Sequence, residues 1–429
     1  MSSYRETLDY LYGLLSLGIR PGLSATERLL SSLKDPQKGY PSIHVAGTNG
    51  KGSTSATLEA ILTEAGFSAG LYTSPHLERF NERIRISGEA IADSDVVRVA
   101  EAVKRGSEAA FAEGKGPTFF EFTTAMAFQY FKEKKVDIAV LETGMGGRLD
   151  ATNIVTPLVS IITNVGFDHT LHLGEDLAAI AGEKAGIIKE RVPVVTGVEA
   201  PLALPVIEEE AKKRGSRLFR YGADFRGNAR PGERGFDYSG MSLRLTGLSL
   251  KLRGSHQFKN ASCALAAVEV LQGLGYAIGE EAIREGLAGV FWPGRFEVMR
   301  ERPLVILDCA HNPDGASVLA AALREFLASR RLVLVTGVMI DKDIDGIFSH
   351  LVPLASVVIL TKPAMDRAAA VELLEKKLVD YKKPVILTRT VKEACSRALK
   401  EASDGDAICV TGSIFTVGEA RGFFTGCGV

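Results

Sequence analysis

Only five cysteines occur in 429 residues (Cys263, Cys309, Cys395, Cys409 and Cys427), and no two stand in C-x-x-C spacing. A disulfide framework and a thiolate zinc site are thereby disfavoured, and a reducing compartment, the cytoplasm, is expected. Neither sign of charge is in excess: 51 basic against 52 acidic side chains leave a formal net charge of −1. Nothing therefore marks a face for nucleic acid or for an anionic membrane. No apolar run is long enough to span a bilayer. The opening stretch, "MSSYRETLDYLYGLLSLGIRPGLSATERLL", carries acidic residues and helical periodicity where a secretion signal would be basic and then apolar. Internal repeats and low-complexity tracts are missing too. What these absences leave is a globular protein whose partners are small molecules, with a monomer as the default expectation.

What the chain does contain is ample apolar material, 46% of residues, at a length that calls for more than one core. Strand-like runs, "SIHVAG", "SAGLYTS", "DIAVLETG", "LVSIITNVG" and "VPVVTG", alternate with longer segments of helical spacing, the pattern of a mostly parallel sheet covered by helices. Between Arg217 and Gly254 the texture changes: Leu243, Leu245, Leu248, Leu250 and Leu252 nearly alternate with polar residues around Gly247, which predicts a small antiparallel β region appended to the main sheet. The alternation resumes after "FWPGRFEVMRERP", with "PLVILDCAHNP", "RLVLVTGVM", "ASVVILTKP", "KPVILT" and "AICVTGSIF" as strands of a second, smaller, doubly wound α/β domain. A junction near Glu297 to Arg302 divides the chain into residues 1–297 and 298–429.

The segment "HVAGTNGKGSTSATLEA", from His44 to Ala60, reads as strand, glycine turn and helix. It departs from the standard phosphate loop, G-x-x-x-x-G-K-[ST], because Gly52 follows Lys51 where a hydroxyl should stand. The physics is kept. Backbone N–H groups around Gly50 to Ser53 can point at an anion, the helix start favours negative charge, and Lys51 adds a mobile cation. Gly47, Thr48, Asn49, Gly50, Lys51, Gly52, Ser53 and Thr54 are thus expected at a nucleotide triphosphate, with Ser53 or Thr54 supplying the displaced hydroxyl.

Two other strands end in groups suited to the same crevice, because open α/β sheets bind ligands at the carboxyl ends of their strands. In "VLETGMGGRLDATN" the strand ends with Glu142, and in "IITNVGFDHT" with Asp168 and His169. With phosphates these make an oxygen and nitrogen set that suits Mg²⁺. In "EDLAAIAGEKAGIIK", Leu177, Ile180, Ala181, Lys184 and Ile187/Ile188 share one helical stripe, which places Lys184 on the apolar face. Either its stem snorkels and its ammonium pairs with an acid, or it is carbamylated, exchanging a cation for a carboxylate that completes a metal site with Glu142 and His169.

Taken together these segments resemble the folylpolyglutamate synthase/dihydrofolate synthase family, within the ATP-dependent Mur-type amide ligases. "GTNGKGST", "YTSPHLERFNERI", "TFFEFTTAMAF", "ETGMGGRLDATN", "TNVGFDHT", "IAGEKAGIIK", "HQFKNA", "WPGRFE", "DCAHNP" and "GSIFTVGE" occur in the family's order from about residue 40 to the end. The resemblance implies that ATP phosphorylates a pteroate or folate carboxylate and that the amino group of L-glutamate displaces the phosphate. It implies Ser74 and Glu142 as ligands of one Mg²⁺, with Ser53 of the loop contributing, and Glu142, His169 and carbamylated Lys184 as ligands of a second. A monovalent cation is a further candidate cofactor. Asn260, Arg295 and Asp308 resemble nucleotide-contacting positions, and His311 and Ser413 resemble residues near the γ-phosphate and incoming glutamate. Phe119, Phe120, Phe122, Thr123, Asp150, Ala151 and Asn153 resemble the folate-facing segments. Lys51, Lys184, His311 and Ser413 are the implied catalytic set.

Two rivals stay open on sequence alone. Another Mur-type ligase would extend a cell-wall precursor, although the phosphate loop here begins too early for that branch's extra N-terminal domain. A nucleotide-binding regulator would use the loop as a switch and would have no need of Glu142, His169 and Lys184 together. Within the resembled family, addition of the first glutamate, of later ones, or of both is open, with the bifunctional form favoured by analogy.

Overall fold

The computed structural model describes residues 3–18, 20, 22–111, 116–168, 170–230, 235–327 and 329–426. The chain divides into two compact units, one of residues 1–251 and 258–290, the other of residues 252–257 and 291–429. The segment in which composition placed a junction, Glu297 to Arg302, contains an edge strand of the second unit.

The first unit is built on an eight-stranded sheet: β1 (Ser42–Ala46), β2 (Ala69–Tyr72), β3 (Ile84–Ile86), β4 (Glu89–Ala90), β5 (Ile138–Glu142), β6 (Val159–Ile162), β7 (Val194–Thr196) and β8 (Leu218–Arg220). Its order is β4-β3-β2-β5-β1-β6-β7-β8. The run from β2 to β8 is parallel, and β3 and β4 add an antiparallel edge. Every residue of β1, β2, β5, β6 and β7 is buried, as strands covered on both faces must be. β1 is central, between β5 and β6, so the chain segments leaving β2, β5, β1 and β6 emerge side by side at one edge of the sheet.

Helix boundaries follow local chemistry. The helix Lys51–Glu64 starts at Gly50, whose φ of +82° is left-handed. The helix Phe119–Lys134 carries a capping box, Thr118 with Glu121, and Asp176 caps the helix Leu177–Ala185 by accepting from the Ala179 N–H. Each such side chain satisfies helix-end donors that burial would otherwise orphan.

The leucine-rich region after Arg217 does form antiparallel structure, as a separate three-stranded sheet, β9 (Arg226–Ala229), β10 (Phe236–Ser239) and β11 (Arg244–Leu248). Its β10–β11 turn is fastened to the helix His256–Gly273 by Glu269. That carboxylate accepts from the Tyr238 hydroxyl at 2.7 Å and from the N–H groups of Met241, Ser242 and Leu243.

The second unit carries β12 (Glu297–Glu301), β13 (Leu304–Leu307), β14 (Leu332–Thr336), β15 (Val357–Leu360), β16 (Val385–Leu387) and β17 (Ala407–Thr411) in the order β12-β13-β17-β14-β15-β16. All pairs are parallel except β12 with β13. Among the described residues no helix is long and apolar enough to cross a membrane.

Candidate active site

The phosphate loop sits at the carboxyl end of the central strand β1, and neighbouring groups hold it open. Gly47 has a φ of +153° and Gly50 one of +82°, conformations that glycine adopts without strain. The loop is tied to the end of β6: the Thr48 N–H donates to the Asn164 carbonyl (3.1 Å), the Asn49 N–H to Asn164 Oδ1 (2.7 Å), and the Thr163 hydroxyl to the Asn49 carbonyl (2.7 Å). Lys51 Nζ donates to the carbonyls of Gly47 (3.0 Å) and Thr48 (3.2 Å). The ammonium therefore stands over the turn whose N–H groups face an anion. Asn260, expected at the nucleotide, lies against the loop: a Cβ on Gly50 would fall 2.4 Å from its Oδ1. The hydroxyl of Thr54 leans on the Asn260 carbonyl at 3.4 Å. Ser53, nearly fully buried, makes no side-chain hydrogen bond among the described residues, which favours it as the loop's free hydroxyl. Sequence reading missed Thr163 and Asn164, although their "TNVG" stretch was in view.

Glu142 ends β5, the strand beside β1, and is 5% exposed. Its Oε2 accepts from the Ser74 N–H at 3.1 Å, so the two residues expected at one metal are in contact. The loop after Glu142 is stitched to the helix bearing Lys184. The Arg148 N–H donates to the Glu183 carbonyl at 2.7 Å, and a Cβ on Gly147 would stand 2.8 Å from that same oxygen. Lys184 is 2% exposed, as its place on the apolar stripe predicts. Burial, with the nearby Lys51 charge adding to it against Asp168, pulls its pKa down to about 7. An amine so depressed is about half neutral, and to that extent nucleophilic, near pH 7. His169 lies outside the described residues.

The segments expected to face folate divide by environment. Phe122 is fully enclosed in the core, edge-on to Tyr10 at 5.6 Å. Phe119 is 8% exposed and stacks on Tyr12 at 6.0 Å. Phe120, partly buried, fills the space that a Gly144 side chain would need. The Thr123 hydroxyl is buried against Tyr72 at 3.1 Å. Asp150 caps the turn that follows it, accepting from the N–H of Thr152 (3.0 Å) and of Met145 (2.9 Å). Burial nonetheless raises its pKa. Ala151 is buried, and Asn153 donates to the carbonyls of Arg148 and Gly186, both at 3.0 Å. Asp150 and Asn153 thus shape the loop between Glu142 and the Lys184 helix.

In the second unit, Asp308 follows β13 and accepts from the N–H groups of Phe296 and Ala310, both at 2.9 Å. Burial raises its pKa, opposed chiefly by the Arg295 charge, so the two expected nucleotide contacts are electrostatic neighbours. His311 Nδ1 donates to the Cys309 carbonyl at 2.8 Å, which fixes the Nδ1–H form. Ser413, 2% exposed, follows β17 and caps the helix Ile414–Thr425, accepting from the Thr416 N–H at 3.1 Å. The loops bearing His311 and Ser413 are adjacent, since the Gly412 N–H donates to the Ala310 carbonyl at 3.1 Å.

No three His, Cys, Asp or Glu side chains among the described residues form a metal cage. The donor set of one buried carboxylate beside hydroxyls still suits Mg²⁺, which binds few protein oxygens and completes its shell with water and substrate phosphate. The first unit therefore sets a phosphate cradle and a carboxylate at neighbouring strand ends, with the depressed lysine on the helix Leu177–Ala185 within electrostatic reach of Lys51.

That arrangement agrees with comparison to known proteins. The Mur ligase middle domain matches residues 45–268, and the Mur ligase, glutamate ligase domain matches residues 294–414. Dihydrofolate synthase/folylpolyglutamate synthase of Bacillus subtilis is 36% identical over 98% of this chain and 99% of its own. The structure of E. coli FolC in complex with DHPP and ADP superposes with a TM-score of 0.91 at 32% identity, over 100% of both chains. That of bifunctional folylpolyglutamate synthase/dihydrofolate synthase from Yersinia pestis, complexed with AMPPNP and Mn ion, gives 0.87 at 35% identity over 97% of each. With matched domains, end-to-end relatives and a phosphate loop beside Glu142, this chain belongs to the folylpolyglutamate synthase/dihydrofolate synthase family of Mur-type ligases.

Proposed function

We propose that the protein is an ATP-dependent ligase that joins L-glutamate to the carboxylate of dihydropteroate and of reduced folates. The observation that supports this is the Lys51 loop and Glu142 at the ends of adjacent parallel strands, with Lys184 of the helix Leu177–Ala185 close enough to Lys51 for their charges to interact, in a chain whose relatives are named for the reaction. A carboxylate oxygen attacks the γ-phosphorus of ATP, the bond to ADP breaks, and an acyl phosphate forms. The glutamate amine then attacks the acyl carbon, phosphate leaves, and the amine loses a proton.

The loop N–H groups from Gly50 to Ser53 hold the phosphates, and Lys51 offsets charge as it moves between oxygens. Mg²⁺ held by Ser53, Ser74 and Glu142, and a second ion held by Glu142, His169 and carbamylated Lys184, would supply further neutralisation at the transferring phosphoryl group. Asn260, Arg295 and Asp308 contact the nucleotide, and His311 and Ser413 the glutamate or γ-phosphate. Phe119, Phe120 and the Asp150–Asn153 turn face the pteridine substrate. The enzyme works as a cytoplasmic monomer on small molecules, with residues 1–297 as its ATPase domain and 298–429 as its ligase domain.

The test is ADP release that needs Mg²⁺ and glutamate, run in parallel with dihydropteroate and with a reduced folate, with product masses recorded. A glutamyl increment on both establishes the bifunctional ligase, and on one alone names the narrower enzyme. No increment on either refutes the proposal.

A further inference from the structure

Arg83 lies inside the first unit at 6% exposure, yet no ion pair joins it to a carboxylate among the described residues. The carboxylates of Glu142 and Glu82 are near enough to favour its charge, but their hydrogen bonds go to backbone N–H groups. Glu82 accepts from the N–H groups of Leu77, Glu78 and Arg79, and Glu142 accepts from the Ser74 N–H. The neighbouring Arg79, which is exposed, does have its counter-charge, Asp93 at 2.9 Å. Arg83 Nε donates to His76 Nδ1 at 2.8 Å, and its Cζ lies 5.1 Å from the centre of the Phe119 ring. Its terminal Nη–H donors meet no acceptor among the described residues. His76 meets the guanidinium only as an acceptor at Nδ1 and supplies no carboxylate to it.

A buried guanidinium whose Nη–H donors meet no acceptor is costly unless a ligand supplies one. Its position narrows the choice. Arg83 closes a short turn, Phe80–Arg83, that leads into β3, and its carbonyl accepts from the Thr73 N–H at 3.0 Å. It therefore stands beside Ser74 and Glu142, on the far side of β5 from the phosphate loop on β1. The stacked rings of Phe119 and Tyr12 flank it. A planar fork of N–H donors next to aromatic faces matches an arylcarboxylate: ring on ring, carboxylate on guanidinium.

We propose that Arg83 binds the carboxylate of the pteroate or folate substrate, the group that becomes the acyl phosphate. The inference rests on the function proposed above and assigns that site a specificity residue. A carboxylate oxygen has lone pairs to spare beyond those the guanidinium takes, so one oxygen stays available to attack phosphorus.

The test compares dihydropteroate with its neutral carboxamide analogue, binding each to the full-length protein with a non-hydrolysable ATP analogue present. For the wild type we expect a preference of about 10- to 100-fold for the carboxylate, the range of a charge-assisted pair. Arg83→Gln should bind both within about 3-fold, Arg83→Lys should fall between, and the affinity of both variants for the ATP analogue should be unchanged. A wild-type preference retained in Arg83→Gln overturns the assignment, as does loss of ATP-analogue binding in both variants, which would mark a structural role. If the wild type binds neither pteroate nor its amide, the ligase reading itself fails.

Discussion

His44 Nε2 lies 2.8 Å from the Thr152 hydroxyl, a buried bond between residues 108 positions apart. The Thr152 hydroxyl in turn stands 2.5 Å from Asp150 Oδ1. An acidic oxygen can only accept, so the proton order runs from His44 through Thr152 to Asp150. The chain links the central strand β1 to the turn that shapes the loop after Glu142. Thr152→Val should leave the buried histidine N–H without a partner and leave Asp150 Oδ1 with only the Thr152 N–H, at a cost of about 1–3 kcal/mol, while Thr152→Ser should cost far less. Urea unfolding of both variants decides this, and equal losses would refute it.

The same histidine sets an acid sensitivity. Burial depresses the His44 pKa to about 3, below the ordinary value of about 6.5. Between those values the unfolded chain binds more protons than the folded one, so stability is flat above pH 6.5 and falls as pH drops through the window, by up to about 1.4 kcal/mol per unit for this group. His76 adds to the same window. Replacing His44 with Gln should flatten the decline.

At the other face of β1, a Cβ on Gly47 would fall 1.9 Å from Thr163 Oγ1. Gly47→Ala should therefore push the loop off its anchor and raise the KM for ATP by about tenfold or more, a loss of roughly 1.4 kcal/mol. Adding Thr163→Ala should recover part of that by making room, at the expense of the hydroxyl's bond to the Asn49 carbonyl. Nucleotide titrations of the single and double variants test it. A double variant no better than Gly47→Ala alone would show that backbone strain, rather than the hydroxyl, dominates.

The strands were legible because both-face burial writes continuous apolar runs such as "DIAVLETG", and the phosphate loop because its glycines cluster. Short edge strands were not: β3 and β4 total five residues, and the polar β12 looked like a linker. Lys184 could be placed on an apolar stripe, but not its depressed pKa, which comes from its full burial and then from the Lys51 charge brought in from another segment, against Asp168. Arg83 lies within "YTSPHLERFNERI", which gives no sign of its burial, because a sequence with arginines at 79, 83 and 85 does not say which one is enclosed without an ion pair. Ser413 reads as a catalytic candidate by resemblance, and its cap on the helix Ile414–Thr425 emerges only from geometry.

Lys184 offers the sharpest chemical test. With a pKa of about 7, roughly a tenth of the amine is neutral at pH 6 and roughly nine-tenths at pH 8. Carbamylation joins the neutral amine to CO₂ and releases one proton, so it should be favoured as pH rises through 7. Activity at low bicarbonate should accordingly fall below pH 7, and added bicarbonate should restore it most where the amine is already neutral. Incubation with ¹³C-bicarbonate should give a carbamate resonance that Lys184→Gln lacks, whether or not nucleotide is present. The unmodified lysine has its own linkage. Because its folded pKa is depressed from 10.5, the unfolded chain holds the extra proton between about pH 7 and 10.5, so the penalty of burying it is complete below 7 and fades as pH rises. Lys184→Met should thus gain stability over the unmodified wild type at pH 6, and the gap should narrow by pH 9. A carbamate signal that survives Lys184→Gln would remove this lysine from the metal site and leave its burial to be explained by pairing with Asp168.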